Sequence, residues 1–305
     1  MEYITLNNGL KMPSLGFGTF GLPADGTAKR CVLAALRAGY RHIDTADGTA
    51  KRCVLAALRA GYRHIDTAHG YLNEREVGEA IRESGVKRED IWLTTKIWPT
   101  EYPDAEAAVD RALERLGVEY LDLVYLHHFL GDVKAGWKGL ESAVRHGKVR
   151  SIGISNFERS DEYRAFFDGI EITPAIAQME RHIDFTPSAY AEDLRSRGIV
   201  CEAWFPLGGT VSRKAQLNLP AVQSVARKHG KTGAQVLLRW QLQTGFAAVP
   251  GSANEAHIAE NLGIFDFTLD ADDLAALAGA GSGKRVFDVP LSAQVDMIMG
   301  FKFND

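Results

Sequence analysis

The 305-residue sequence has little cysteine, no long apolar run and no strong excess of charge. Its three cysteines, Cys31, Cys53 and Cys201, form neither a disulfide framework nor a zinc-binding spacing, which favours a reducing cytoplasm. A formal net charge of −4 excludes the basic surface typical of nucleic-acid-binding proteins. No apolar run approaches the roughly 18–20 residues of a membrane span, and the opening MEYITLNNGLKMP lacks the basic-then-apolar layout of a signal peptide. We therefore expect a cytoplasmic protein with no metal site and no nucleic-acid or membrane partner.

What the sequence does contain is an alternation of short apolar runs with amphipathic helical segments, such as those at 73–85 and 233–243. This alternation is typical of a parallel sheet with helical crossovers, and no Pro/Gly/Ser-rich linker divides the chain. Before the first run, ITLNNGLKM predicts a small β-hairpin with Asn8-Gly9 at its turn. The predicted strands are SLGFGTF (14–20), RHIDTA (41–46 and again 63–68), IWLTTKI (91–97), LDLVYLHH (121–128), VRSIGISNF (149–157), AIAQME (175–180), IVCEAWFPL (199–207) and AAVPGS (247–252).

RHIDTA occurs twice because residues 25–46, DGTAKRCVLAALRAGYRHIDTA, recur unchanged at 47–68. Counted once, it gives eight strands, the number that closes a (β/α)8 TIM barrel. Counted twice, it gives nine, which barrel closure does not readily accept. We therefore predict one (β/α)8 barrel domain over 1–305, with an N-terminal β-hairpin and an extra helix-strand segment extruded from the barrel. The tandem duplication lies within 25–68, and the absence of drift between its copies indicates a recent or engineered event.

Either copy of the helix can dock on the barrel. If the helix at about 48–60 docks, the first copy is extruded on the active-site face. If the helix at about 26–38 docks, residues 40–61 bulge from the opposite face, which we favour because it keeps the PADG start of that helix intact. An exposed surplus helix presents an apolar stripe and would promote association, so we expect a monomer or weak self-association through it. The stripe consists of Val32, Ala35, Leu36 and Gly39.

GFGTFG (16–21) fits the G-x-G-x-x-G pattern of a Rossmann dinucleotide site, with Asp44 downstream. That site needs a helix that opens at the glycines, but residues 22–25 come before the helix here. Eight strand-helix units also exceed the six strands of a doubly wound sheet. The barrel interpretation is therefore preferred.

Four polar residues lie at or just beyond the carboxyl ends of the predicted strands, where barrel active sites form: Asp66, Tyr71, Lys96 and His127. Singly, each has a structural explanation: a helix cap, a packing tyrosine, an edge lysine and a core histidine. Together they suit proton transfer to a carbonyl oxygen. A phenol titrates near ~10, and a neighbouring lysine cation favours its ionised form and so makes the proton transferable. A carboxylate would hold the lysine, and a neutral imidazole could orient the carbonyl.

These residues stand in motifs that resemble those of the aldo-keto reductase family from about residue 4 to residue 275. GYRHIDTAHGYLNEREVG (61–78) and KVRSIGISNF (148–157) are similar to its first two signatures, and Lys96 in TTKIW and His127 in LHH complete its tetrad. The resemblance, to a prokaryotic, diketogulonate-reductase-like member, implies an NAD(P)H-dependent carbonyl reductase in which Tyr71 is the general acid. Only the second copy fits, because Thr49 and Arg52 follow Asp44 where Tyr71 and Glu74 follow Asp66.

The resemblance also implies a cofactor site, to which Asp66 contributes. Ser155, Asn156 and Gln178 would bind the carboxamide, and Trp204 would stack on nicotinamide where the family usually has tyrosine. The nicotinamide ribose would lie along Gly18, Thr19 and Phe20, residues Pro206 and Leu207 would add contacts, and adenine would meet Glu260 and Asn261.

The family's third signature places Lys and Arg where this chain has Gly251 and His257. Ser252 and Asn254 remain to bind a 2′-phosphate, but the strong charged contacts are lost. We therefore expect NADP(H) to be favoured and NAD(H) to be possible.

For the substrate pocket, the resemblance implies Phe20, Trp98 and His128, with a short C-terminal tail after Asp270 that leaves the pocket open. Small aldehydes and α-keto carbonyl compounds are the expected substrates. Two alternatives stay open: a cofactor-binding protein whose catalysis is impaired by the duplicated segment, and a regulatory barrel of the same family.

Overall fold

The computed structural model describes residues 2–15, 17–18, 42–44, 64–159, 162–250, 257, 260–261, 263–289 and 291–303. The predicted hairpin is confirmed: β1 (Tyr3–Thr5) pairs antiparallel with β2 (Lys11–Pro13). At its turn Gly9 has φ +81°, a conformation that glycine adopts without strain. Leu6 and Met12 of the hairpin pack with residues near the amino ends of the barrel strands, among them Leu123, Ile176 and Ala247. The hairpin therefore covers that end and leaves the carboxyl ends for a site.

The main sheet is parallel, and its nine described strands follow one another in chain order. Leu15, just before the first of them, forms a parallel bridge with Ala248 in the last, so the two edges of the curled sheet meet. The backbone N–H of Ala248 donates to Ser14 O at 3.0 Å. The strands are β3 (Phe17–Gly18), β4 (His42–Asp44), β5 (His64–Asp66), β6 (Trp92–Ile97), β7 (Leu123–Leu126), β8 (Ile152–Ser155), β9 (Ile176–Glu180), β10 (Val200–Trp204) and β11 (Phe246–Val249).

The first copy of the repeat is where this sheet departs from the prediction. Its strand is not extruded: β4 lies between β3 and β5, and His42, Ile43 and Asp44 pair in register with the same three residues of the second copy. Both edges of β4 are thereby hydrogen-bonded, which satisfies backbone groups that would otherwise need other partners. The predicted count of eight strands is wrong for this reason. The two copies of the helix lie outside the described residues. Which copy docks on the barrel therefore stays a prediction.

Helices on the outer face of the sheet bury a continuous apolar core against it. Gly78 allows helix Glu74–Ser84 to approach its neighbour, because a Cβ there would lie 1.9 Å from Leu116 O. The helices predicted at 73–85 and 233–243 are confirmed as Glu74–Ser84 and Gly233–Gln243, the second capped by Thr232. No helix in the described part of the chain is both long and apolar enough to cross a membrane. The remaining α-helices are Ala105–Leu116, Val133–Arg145, Tyr163–Phe166, Ser188–Ser196, Gly209–Leu217, Pro220–His229, Ala271–Ala278 and Leu291–Met299.

The segment after Asp270 is more than the short tail that the sequence suggested. After helix Leu291–Met299, the ring of Phe303 stacks on His69 with centroids 3.7 Å apart. From the other side, Trp98 Nε1 donates to Ile298 O at 2.7 Å. The C-terminal segment therefore packs at the carboxyl ends of β5 and β6, and the openness of the pocket mouth stays a prediction.

Candidate active site

A buried ion pair joins the carboxyl ends of β5 and β6. Lys96 Nζ donates to Asp66 Oδ1 at 2.5 Å, and their side chains are 0% and 2% exposed. The same ammonium lies 3.3 Å from Thr67 O and 3.4 Å from the phenolic oxygen of Tyr71. Because both side chains are buried away from water, each charge stabilises the other, and either ion alone would be costly to bury. The aspartate, the lysine and the phenol thus lie in one hydrogen-bonded chain.

The loop after β5 turns back on itself and returns Tyr71 to the barrel. Thr67 Oγ1 donates to Asn73 Oδ1 at 2.5 Å and closes the loop at its base. A short 3-10 turn, His69–Tyr71, lies between them. Gly70 is needed for a close approach, since a Cβ there would lie 2.8 Å from the ring of Trp98. The loop, and with it the phenol, is therefore seated against β6.

Glu74, the signature carboxylate that the first copy lacks, anchors the helix that follows this loop. It accepts from Arg115 Nε at 2.6 Å and from Thr95 Oγ1 at 2.6 Å, and it is buried. Thr95 precedes Lys96 in β6. The carboxylate thus fixes the start of the helix relative to the lysine strand and lies outside the reacting centre.

His127 follows β7, the next strand along. The pKa of His127 is well below the ordinary histidine value, mainly because the ring is buried and also because of the charges of His128 and Lys96. Its ring stands edge-on to that of Tyr71, with centroids 6.0 Å apart. Its Nδ1 is buried and has no hydrogen-bond partner among the described residues. A neutral imidazole with an unused nitrogen beside the phenol can orient a polar group of a ligand.

The next strands supply a polar and aromatic wall. Asn156, with φ +60°, follows β8 in a left-handed conformation that asparagine tolerates. Its Nδ2 donates to His127 O at 2.9 Å and to Ser155 Oγ at 3.0 Å, and its Oδ1 accepts from Trp204 Nε1 at 2.9 Å. The half-buried indole at the end of β10 is therefore linked through Asn156 to the backbone carbonyl of His127.

Three other predicted cofactor residues lie close to this wall. Gln178 in β9 is buried and donates to Glu202 Oε2 at 2.7 Å. Pro206 and Leu207 come directly after β10, and both are buried. They lie on the same side of the barrel as Trp204.

The residues predicted for adenine lie near one another. Asn261 is 3% exposed and its Oδ1 has no partner among the described residues. The carboxylate of Glu260 accepts a hydrogen bond from Thr232 Oγ1. His257 is exposed. A buried acceptor without a partner among the described residues is what an exocyclic amine would satisfy, so Asn261 fits an adenine there.

Other predicted residues fall outside what the structure describes: Thr19, Phe20, Ser252 and Asn254. Gly18 is described by its backbone, and the ninth strand changes its place. It pairs with Asp44, which pairs with Asp66. Since neighbouring strands are ~4.8 Å apart, Gly18 lies roughly 10 Å from Asp66 instead of beside it.

The predicted pocket residues Trp98 and His128 form part of an aromatic cluster. Trp98 is perpendicular to the stacked rings of His127 and His128, 5.2 Å from each. Phe301 and Phe303 of the C-terminal segment add rings 5.5 Å and 6.2 Å from Trp98. The sequence reasoning missed these two phenylalanines, although the alternation in Phe301-Lys302-Phe303 was a usable signal.

A buried His69–Glu101 pair was also missed. His69 Nδ1 lies 2.8 Å from Glu101 Oε2, which also accepts from the backbone N–H of Trp98 at 3.1 Å. Burial alone would lower the pKa of His69, but the hydrogen bond and the charge of Glu101 raise it overall. Burial would raise the pKa of Glu101, and the same pairing lowers it. The ion pair fixes the Tyr71 loop to the Trp98 segment.

Known proteins match this chain over most of its length. It is 37% identical over 289 residues to the glyoxal reductase of Bacillus subtilis, covering 93% of this chain and 95% of that protein. It is 36% identical over 297 residues to the morphine 6-dehydrogenase of Pseudomonas putida, covering 93% and 92%. An aldo-keto reductase of Mycolicibacterium smegmatis is 40% identical over 290 residues, with 93% and 94% covered.

Solved structures agree with the sequence matches. The Bombyx mori aldo-keto reductase in complex with NADP superposes with a TM-score of 0.77 at 30% identity and covers 97% of each chain. A profile of the Aldo/keto reductase family matches residues 47–281, beginning at the first residue of the second repeat copy. The chain belongs to the aldo/keto reductase family.

Proposed function

We propose that the protein is an NADP-dependent carbonyl reductase that reduces an aldehyde or ketone to an alcohol. The observation that carries this is the chain from Asp66 through Lys96 to the phenol of Tyr71, with neutral His127 alongside. A bound reduced nicotinamide supplies the hydride for such a reaction.

The protein's own residues manage the proton. Tyr71 donates its phenolic proton to the carbonyl oxygen as negative charge develops there. The Lys96 cation, 3.4 Å away, stabilises the phenolate left behind. Asp66 holds that cation in place, and His127 orients the oxygen without adding a charge of its own. Such acid catalysis contributes about 10²–10⁴ in rate.

For the cofactor, we favour NADP(H) and expect NAD(H) to be used as well. The Asn261 acceptor and the indole of Trp204 fit an adenine and a nicotinamide ring, and a related structure contains NADP. His257 is exposed and can face a 2′-phosphate. With Gly251 and His257 in place of a lysine and an arginine, discrimination between the cofactors should be weak.

For the substrate, we propose small aldehydes and α-keto carbonyl compounds, consistent with a diketogulonate-reductase-like member. The aromatic cluster around Trp98 offers an apolar mouth to such compounds. A cytoplasmic location and a monomer, or weak self-association through the surplus helix, stay predictions.

The ninth strand supports a second candidate: a cofactor-binding protein whose catalysis is impaired. Gly18 would contact the nicotinamide ribose, and β4 sets it one strand further from Asp66. A displacement of an ångström in a reacting geometry can cost about 10²-fold in rate. Binding of NADPH without turnover would identify this case.

The test measures NADPH and NADH oxidation with glyoxal and with an aromatic aldehyde, with Tyr71→Phe as the blank. We expect turnover that this change abolishes, and kcat/KM values for the two cofactors within about tenfold of each other, since the charged phosphate contacts are absent. Turnover that survives in Tyr71→Phe would contradict the proposed chemistry.

A further inference from the structure

Glu180, the last residue of β9, holds a segment from the other end of the chain. It is 0% exposed, and its Oε1 accepts from the backbone N–H groups of Val286 and Phe287 at 2.6 and 3.1 Å. His182 Nε2 lies 3.2 Å from the same oxygen, and Arg285 donates to Oε2 at 3.3 Å. A buried carboxylate with charged and backbone partners is a strong anchor.

Glu158, which follows β8, extends this anchor. Arg285 donates to its Oε1 at 3.3 Å and to its backbone carbonyl at 3.4 Å. The guanidinium also lies over the ring of Phe185, 4.1 Å from its centroid. Arg285 therefore bridges two buried carboxylates at the ends of neighbouring strands, and the 285–287 segment is fixed at three consecutive residues.

The anchored segment contacts Trp204, part of the polar and aromatic wall described above, through Phe287. Its ring stands edge-on to the indole of Trp204, with centroids 6.4 Å apart and planes at 75°. Phe205 also contacts this indole, with ring centroids 4.8 Å apart. Asn156 Oδ1 accepts a hydrogen bond from the indole Nε1. The indole is thus oriented by one hydrogen bond and two edge contacts, and one of these depends on Glu180.

We propose that Glu180 is a positioning residue for the cofactor: by clasping residues 285–287 it holds Phe287 against Trp204 and so sets the affinity for the nicotinamide ring. This rests on the proposed function. The residues of the clasp, 158, 180 and 285–287, are distinct from the four proton-transferring residues, so the clasp should change cofactor binding and leave the chemical step nearly untouched.

The clasp is built to persist across the working pH range. Burial alone would raise the pKa of Glu180, but hydrogen bonds from His182 and from the backbone N–H groups of Phe287 and Val286 lower it to about 2. Its carboxylate therefore stays ionised and accepting near neutral pH.

The test compares Glu180→Ala, Glu180→Gln and a matched control. Glu141 is another buried carboxylate whose Oε1 accepts from two backbone N–H groups, of Glu171 and Ile172 at 2.6 and 2.8 Å, away from the site. The readouts are the NADPH dissociation constant by fluorescence titration, kcat at saturating NADPH, and amide exchange at residues 286 and 287.

We expect Glu180→Ala to raise the NADPH Kd by about tenfold and to speed amide exchange at 286 and 287, with kcat within about twofold. Glu180→Gln keeps an acceptor for both amides and should recover most of the affinity. Glu141→Ala should destabilise the fold without changing the Kd. Faster exchange at 286 and 287 with an unchanged Kd, or an equal rise in Kd in Glu141→Ala, would overturn the proposal.

Phe287→Leu provides a second variant, since it keeps the backbone clasp and removes only the edge contact. It should raise the NADPH Kd by about fivefold, the scale of one aromatic pair. An unchanged Kd would overturn the proposed route through Trp204. Because these are binding measurements, a wild-type protein that binds NADPH without turnover refutes the carbonyl reductase and still tests the clasp; one that binds no NADPH refutes both.

Discussion

The two RHIDTA strands have the same sequence and lie side by side, yet their surroundings differ. β5 pairs on one side with β6, which carries Lys96, and Asp66 contacts that lysine at 2.5 Å. Among the described strands, β4 pairs with β3 and β5. The second strand is followed by His69, Gly70 and Tyr71, where the first is followed by Asp47, Gly48 and Thr49.

A strand-end carboxylate becomes part of a site through its neighbours. Identical residues at identical register give one aspartate next to a lysine strand and one separated from it by a strand. The chain that follows decides the rest, because only the second copy brings a phenol and the Glu74 anchor. The first copy contributes backbone hydrogen bonds to the sheet and moves Gly18 away from the tetrad.

The largest effect is expected from the loss of the second carboxylate, Asp66. Asp66→Asn leaves the Lys96 cation buried without its counter-ion, so kcat should fall about 10²-fold or more and stability by about 3–5 kcal/mol. Asp44→Asn is the matched control and should change kcat little. Steady-state kinetics and urea unfolding of both variants test this. A larger loss of activity in Asp44→Asn than in Asp66→Asn would assign the site to the first copy.

A smaller effect on stability is expected at the next position where the copies differ, which is His69 in the second copy and Asp47 in the first. The pKa of His69 is raised and that of Glu101 lowered. The histidine's contribution is therefore full below its ordinary value of about 6.5 and is lost as pH rises through the higher folded value. The carboxylate's contribution is lost only as pH falls through its lowered value.

We therefore expect His69→Gln to cost about 1–2 kcal/mol of unfolding free energy at pH 6 and less at pH 9. Urea unfolding at both pH values checks this. His146, in an exposed pair with Glu106 at 2.7 Å and itself 62% exposed, provides the control, and His146→Gln should show little cost. A cost for His69→Gln that grows with pH would contradict the buried-pair interpretation.

Much of the fold follows from sequence pattern. Apolar runs such as 91–97 and 175–180 predict strands that are confirmed as Trp92–Ile97 and Ile176–Glu180. Strand ends in a parallel sheet converge on one face, so residues as distant as Asp66 and Lys96 could be placed together before any distance was known.

The rest depends on contacts that residue types do not encode. The sequences of two identical strands do not indicate whether both enter the sheet. Barrel closure predicts eight strands, whereas nine described strands are hydrogen-bonded. The clasp at Glu180 uses the backbone N–H groups of residues 286 and 287, which every non-proline residue has. The His69–Glu101 pair joins residues 32 positions apart with no periodic pattern between them.

Removing one copy of the repeat tests directly whether the first copy is surplus to the working site. Deleting residues 25–46 or 47–68 yields the same sequence, in which β3 can pair directly with the strand that carries the catalytic aspartate. We expect this shortened chain to fold and to reduce carbonyl compounds with a kcat/KM about tenfold higher, because Gly18 returns beside the tetrad. A folded short chain with lower activity than the full-length protein would show that the first copy belongs to the working site.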